Sequence, residues 1–272
     1  MKKMIIFLIM IFSIIGLVYG DSATMSVTVG SAGPNVDSVI VADATPTSGS
    51  TTEITITSQI TDTNGVDDIT GVAVVFSVGS PANGQSIETN MRSSCTDVDS
   101  DTIECNTTYN MQFYDPAQTY TIQVTATDAG AATDSVTDNF DYSSLVALEL
   151  DATSIAFGSV QVGATNTVTG DSNMATGAAP TIKNQGNAVI DASISATDFS
   201  GSSDSFGTEE ADSQFGTLGY TALSNSGRTE TGLNLAAGSS SLENVDFRLT
   251  IPVGALPEAY TSTVTITAVS NS

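Results

Sequence analysis

From Val36 to Tyr142, apolar and polar residues alternate in short runs, broken by turn residues at the spacing of an all-β sandwich. Ile54, Ile56 and Ile60, for example, are interleaved with Thr55, Thr57 and Thr61. Such a run presents one apolar face when extended and no apolar stripe when helical, so it commits the segment to half-buried strands. No window carries a helical period. Strands are expected over Val36 to Val41, Ile54 to Thr61, Val72 to Val78, Ser86 to Arg92, Thr102 to Tyr114, Thr119 to Asp128 and Ser135 to Tyr142. The turns between them contain Pro46 to Gly49, Asn64-Gly65 and Pro81 to Gly84, where glycine and asparagine tolerate the positive φ of tight hairpins. Val72 to Val78 is nearly all apolar and β-branched, which predicts a central strand buried on both sides.

Before this region, Lys2 and Lys3 precede an apolar run from Met4 to Val18, and Val18 and Gly20 suit a cleavage site ahead of Asp21. Residues 1–20 therefore read as an export signal, too short in its apolar part to be a comfortable membrane span. The chain past it is expected to be secreted or held at the cell surface, with no other contact with membrane. Residues 21–35 read as an N-terminal strand and linker: Ala23, Met25, Val27 and Val29 share one face, and Gly30 to Pro34 follow. That strand either opens its own domain or is donated to a neighbouring copy. The expected organisation is two tandem antiparallel Ig-like sandwiches, 36–143 and 144–272, the second with a long polar insertion at 198–229.

Charge narrows function. There are 30 acidic residues against six basic ones, and once Lys2 and Lys3 are removed the balance is −26. Arg92 is the one basic residue between Asp21 and Ser144, and Lys183, Arg228 and Arg248 are the others. Nucleic acid and anionic lipid need clustered lysine and arginine, so both are excluded as partners. The chain has no histidine and no tryptophan. Ser-His-Asp and Cys-His catalysis are thereby impossible, and the usual zinc and copper ligand is missing. Carboxylate-only glycoside hydrolysis remains, without the aromatic platforms on which sugars usually stack.

Asp115-Pro116-Ala117-Gln118-Thr119-Tyr120, running into Ile122, Val124 and Ala126, resembles the corner of Ig-like and PKD-like modules, in which a tyrosine hydroxyl ties the corner to upstream backbone. Phe157-Gly158-Ser159-Val160-Gln161-Val162-Gly163, Thr181 to Asn187 with its Asn184-Gln185-Gly186-Asn187, and the closing Tyr260 to Val269 are similar to motifs of secreted sandwiches on bacterial and archaeal cell surfaces. Glu258-Ala259 departs from that pattern, replacing the usual glycine before the tyrosine. The resemblance implies a surface β-sandwich and no particular activity.

Cys95 and Cys105 are the only cysteines. The odd number of residues between them lets them face each other across a hairpin, so a structural disulfide is expected. Asp97, Asp99 and Asp101 lie inside that loop with Glu104 beside it, and Asp62, Asn64, Asp67 and Asp68 crowd another turn. Two readings are open for each group: a solvated acidic turn, or a Ca²⁺ site, since hard Ca²⁺ takes several oxygens at short range. No other cofactor is indicated. Asn106-Thr107-Thr108 is a glycosylation acceptor sequence. The expectation is a non-enzymatic structural or adhesive component of the cell envelope, such as a surface-layer, filament or appendage subunit. Its partners would be other copies of itself or other surface proteins. The alternative is a secreted polysaccharide-binding or polysaccharide-active accessory protein.

Overall fold

A computed structural model describes residues 23–271; the expected export signal at 1–20 lies outside them. The chain divides into a segment ending at Ser31 and a compact body, Ala32–Ser272. Residues 23–34 join no ladder. The strand expected over Ala23 to Val29 is therefore not formed, and Met25, Val27 and Val29 stand exposed. Alternation prepares the two faces of a strand, but its backbone donors still need a partner edge.

Among the described residues, the only helical elements are three single 3-10 turns, and every ladder is antiparallel. None of their helices is long and apolar enough to cross a membrane. The first half contributes β1 (Asn35–Val41), β2 (Thr51–Thr61), β3 (Ile69–Val78), β4 (Ser86–Glu88), β5 (Cys95–Asp97), β6 (Thr102–Gln112), β7 (Gln118–Asp128) and β8 (Thr133–Tyr142). They form two four-stranded sheets, β1-β2-β6-β5 and β4-β3-β7-β8. Between these lies one core, with Ile54, Ile56 and Ile60 meeting Val72, Val74, Phe76, Ile122 and Val124. Each such side chain contributes about 1.5–3 kcal/mol by leaving water. Carboxylates join the two edge strands: Asp134 and Asp138 on β8 accept the Val36 and Val41 N–H groups of β1 at 2.8 and 3.0 Å. Unpaired edge donors are satisfied in this way without an open edge.

Two expectations change. β3 lies inside its sheet, but of Val72 to Val78 only Val72, Val74 and Phe76 are buried; Ala73 and Val75 are half-buried and Val78 is exposed. The strand expected to reach Arg92 stops at Glu88, because Asn90 Oδ1 accepts the Val72 and Arg92 N–H groups and turns the chain into a 3-10 turn over Arg92–Ser94.

The second half contributes β9 (Leu148–Leu150), β10 (Thr165–Val168), β11 (Thr181–Asn184), β12 (Ile190–Ala196), β13 (Phe199–Ser200), β14 (Ser205–Phe206), β15 (Ala211–Phe215), β16 (Thr221–Ala222), β17 (Arg228–Leu235), β18 (Leu242–Thr250) and β19 (Val264–Ser270). One sheet runs β16-β15-β18-β11-β9, with β10 also on β18; the other is β17-β12-β19. A second, separate core fills the space between them, built on Ile182, Ile190, Ile194, Phe215, Val245 and Phe247. Residues 198–229 are not an appended polar loop. β15 pairs along β18 inside the sheet, and Phe199, Ala211, Phe215 and Leu223 are buried in the core. Their spacing among serines and acids conceals the pattern.

Candidate functional site

An acid directly follows β2, and another ends β7. Along β2 the inward-facing residues are Ile54, Ile56, Ser58 and Ile60, and the next position in that phase is Asp62. Along β7 they are Tyr120, Ile122, Val124 and Ala126, followed by Asp128. Asp62 and Asp128 are 1% and 2% exposed. The 3-10 turn Val66–Asp68 leads the chain from β2 into β3 and adds Asp68. Ligand oxygens of Asp62, Asp68 and Asp128 all lie within 4.8 Å of one another.

Backbone hydrogen bonds fix the three segments. Asp62 Oδ1 accepts the Asn64 N–H at 2.8 Å, and Gly65 N–H donates to Asp62 O at 2.9 Å. Gly65 takes φ 103°, a value open to glycine. Ala129 N–H donates to Asp68 O at 2.8 Å, binding the two loops to each other. Asp128 Oδ1 accepts the Ala132 N–H at 2.7 Å across the β7–β8 turn. Asp115, equally buried, has an N–H for each oxygen, from Ala82 at 2.6 Å and Gln112 at 2.7 Å. Asp62 does not: its buried Oδ2 has no hydrogen-bond partner among the described residues. An unpaired buried carboxylate oxygen costs several kcal/mol in order of magnitude.

Of the acids singled out in the sequence, Asp62 and Asp68 thus come together. Asp67 is exposed, and Asn64 Oδ1 accepts the Ala32 N–H at 2.6 Å instead. Asp128, 60 residues beyond Asp68, escaped the sequence analysis. Its signal was an acid continuing the inward phase of an otherwise apolar strand.

The acidic hairpin is arranged differently. Cys95 and Cys105 form a disulfide and pair directly across β5 and β6. Asp97 faces the Arg92 guanidinium at 3.5 Å. Asp99 Oδ1 accepts the Asp101 and Thr102 N–H groups at 3.1 and 2.8 Å, making the turn itself. A side-chain hydrogen bond with Asp101 lowers the Asp99 pKa and raises that of Asp101. Glu104 lies on β6 and accepts Asn106 Nδ2 at 3.1 Å. The four acids are spread along an exposed hairpin and do not converge. Asn106 is exposed on β6, and its Oδ1 accepts the Thr57 hydroxyl at 2.7 Å.

A second arrangement lies where the two cores meet. Asn187 Oδ1 accepts the Leu145 N–H at 2.6 Å, and its Nδ2 donates to Ser143 O at 3.0 Å and Asp115 O at 3.1 Å. Gly49 N–H donates to Gln185 O at 3.1 Å, and Lys183 Nζ sits 5.6 Å from the centre of the Phe113 ring. Asn184 turns inward, donating to Ala188 O, Leu235 O and Ala236 O. At Gly186 a Cβ would stand 2.1 Å from Leu145 O, so only glycine permits this approach. The Asn184-Gln185-Gly186-Asn187 motif is thus a clamp between the two halves.

No family model matches the chain, and no curated protein does. Among solved structures it is similar to dimeric latent PorU from Porphyromonas gingivalis, at 11% identity and a TM-score of 0.32, covering 93% of this chain and 21% of that one. The chain therefore spans about a fifth of the PorU chain's length. A chaperone-tip adhesin complex of CFA/I fimbriae biogenesis matches at 9% identity and a TM-score of 0.31, covering 85% of this chain and 79% of that one. The C-terminal domain of the Streptococcus pyogenes antigen I/II-family protein AspA matches at 10% identity and a TM-score of 0.20, covering 88% and 99%. Likeness of this degree transfers no role to the chain.

Proposed function

We propose that the protein is a non-enzymatic structural or adhesive component of the extracellular cell envelope, and that its partners are other copies of itself or other surface proteins. The observation that carries this reading is the clamp at Asn187. Two sandwich cores that follow one another with no free linker pass force from one to the other through hydrogen bonds, as a spacer or subunit under load must. Three further features support it. The Cys95–Cys105 disulfide suits an oxidising compartment outside the cytoplasm. The chain holds no histidine for acid–base work near neutrality. Its excess of acidic over basic residues, 30 against six, keeps copies apart until cations screen them.

Labelling the protein on intact cells tests the reading. The expected result is label fixed to the cell surface, with no hydrolysis of and no retention by surface polysaccharides in the purified protein. Release into the medium together with glycan binding or cleavage would favour the accessory-protein reading instead.

A further inference from the structure

We propose that Asp62, Asp68 and Asp128 bind one Ca²⁺ ion, which locks the β2–β3 loop to the β7–β8 turn. The donor set is all carboxylate oxygen, the chemistry of a hard cation and not of zinc or copper. The oxygens lie within 4.8 Å of one another. Ligands on opposite sides of Ca²⁺ stand up to about 5 Å apart, so one such ion can reach all three carboxylates without movement of the loops.

Burial supplies the second, independent observation. Asp62 is 1% exposed, and its Oδ2 has no hydrogen-bond partner among the described residues. The equally buried Asp115 shows what the fold does when a carboxylate is purely structural: both its oxygens receive N–H groups. Arg92 is committed elsewhere, donating from Nε to Ile69 O and from Nη2 to Val66 O, both at 3.0 Å, and facing Asp97. A bound Ca²⁺ supplies Asp62 Oδ2 with its partner. The ion would thus join segments 60 residues apart at one end of the first sandwich.

Calorimetric titration of the full chain past Gly20 with Ca²⁺ alone and with Mg²⁺ alone, at equal ionic strength, tests this, with thermal unfolding measured in parallel. One Ca²⁺ per chain is expected, with a rise in the unfolding midpoint larger than Mg²⁺ gives. Asp68→Asn, at a half-exposed position, should weaken Ca²⁺ binding by at least about 10- to 100-fold, the scale on which loss of a supporting group already acts. Asp99→Asn with Asp101→Asn should leave binding unchanged. Equal effects of the two ions would mean charge screening only and overturn the proposal. Unchanged binding in Asp68→Asn, or its loss in the hairpin variant, would also overturn it.

Discussion

Tyr120 sits fully buried at the start of β7, and its hydroxyl donates to Pro116 O at 3.0 Å. This is the tyrosine corner that Asp115 to Tyr120 suggested. Its ring packs against Phe76, Phe140 and Tyr142. Gly79, at φ 88°, lies so close that a Cβ there would stand 2.3 Å from the ring. Burial first of all raises the Tyr120 pKa, so the phenol stays a protonated donor through the physiological range. Tyr260 repeats the device in the second half, its one hydroxyl proton shared between Leu256 O and Asp204 Oδ2, each at 3.0 Å. The two share a spacing of four residues between acceptor and tyrosine, which the sequence analysis recognised at Tyr120 only. Removing one buried hydroxyl costs about 1 kcal/mol net. Tyr120→Phe is accordingly expected to lower stability by about that amount in denaturant titration, with the slope unchanged. A loss several times larger would mean that the ring itself had moved.

At the scale of elements, the β13–β14 hairpin is held by carboxylates. Glu258 accepts the Ser202, Ser203 and Asp204 N–H groups and the Ser202 hydroxyl, while Asp204 Oδ2 accepts the Leu256 N–H at 3.1 Å and the Tyr260 hydroxyl at 3.0 Å. The Ser202 hydroxyl first, and then the backbone donors, hold the Glu258 pKa below its usual value; the Leu256 N–H and then Tyr260 do so for Asp204. Such groups bind fewer protons folded than unfolded. Their contribution is complete above the unfolded values, about 4.3 for Glu and 3.9 for Asp, and is lost as pH falls through the lower folded ones. Glu258→Gln should therefore lower the unfolding midpoint at about pH 7, and the gap from the parent should close towards about pH 2. Comparing the two proteins cancels the relief of overall repulsion that acid brings to so anionic a chain. A gap independent of pH would assign Glu258 a packing role alone. The departure of Glu258-Ala259 from the expected glycine thus has a local reason: the carboxylate caps a neighbouring turn.

For the whole molecule, the clamp decides whether the two cores unfold together. Asn187 makes three hydrogen bonds across the 143–145 segment and to Asp115. Each is worth about 0.5–1.5 kcal/mol, and the groups left behind at a partly buried site add to the loss. Asn187→Ala is expected to split one thermal transition into two and to open 143–147 to protease, leaving 198–229 resistant because β15 is part of the sheet. A single transition in the variant would mean that the cores are coupled by other contacts.

Alternation at period two, turn residues and the absence of a helical period were enough to determine an all-β sandwich and the approximate strands of the first half, because burying one face of a strand leaves its mark on every second residue. The odd spacing of Cys95 and Cys105 allowed them to face each other across a hairpin, as they do across β5 and β6. Residues 198–229 were not legible, since short strands such as β13, β14 and β16 carry too few residues to display a period. Nor does alternation say whether a strand finds an edge, and Ala23 to Val29 does not pair. The acidic cluster lies between these cases. Asp62 and Asp68 stand in one turn, but only the pairing of β3 with β7 carries Asp128 to them, because the meeting of two loop ends is a property of sheet topology and not of any local run of residues.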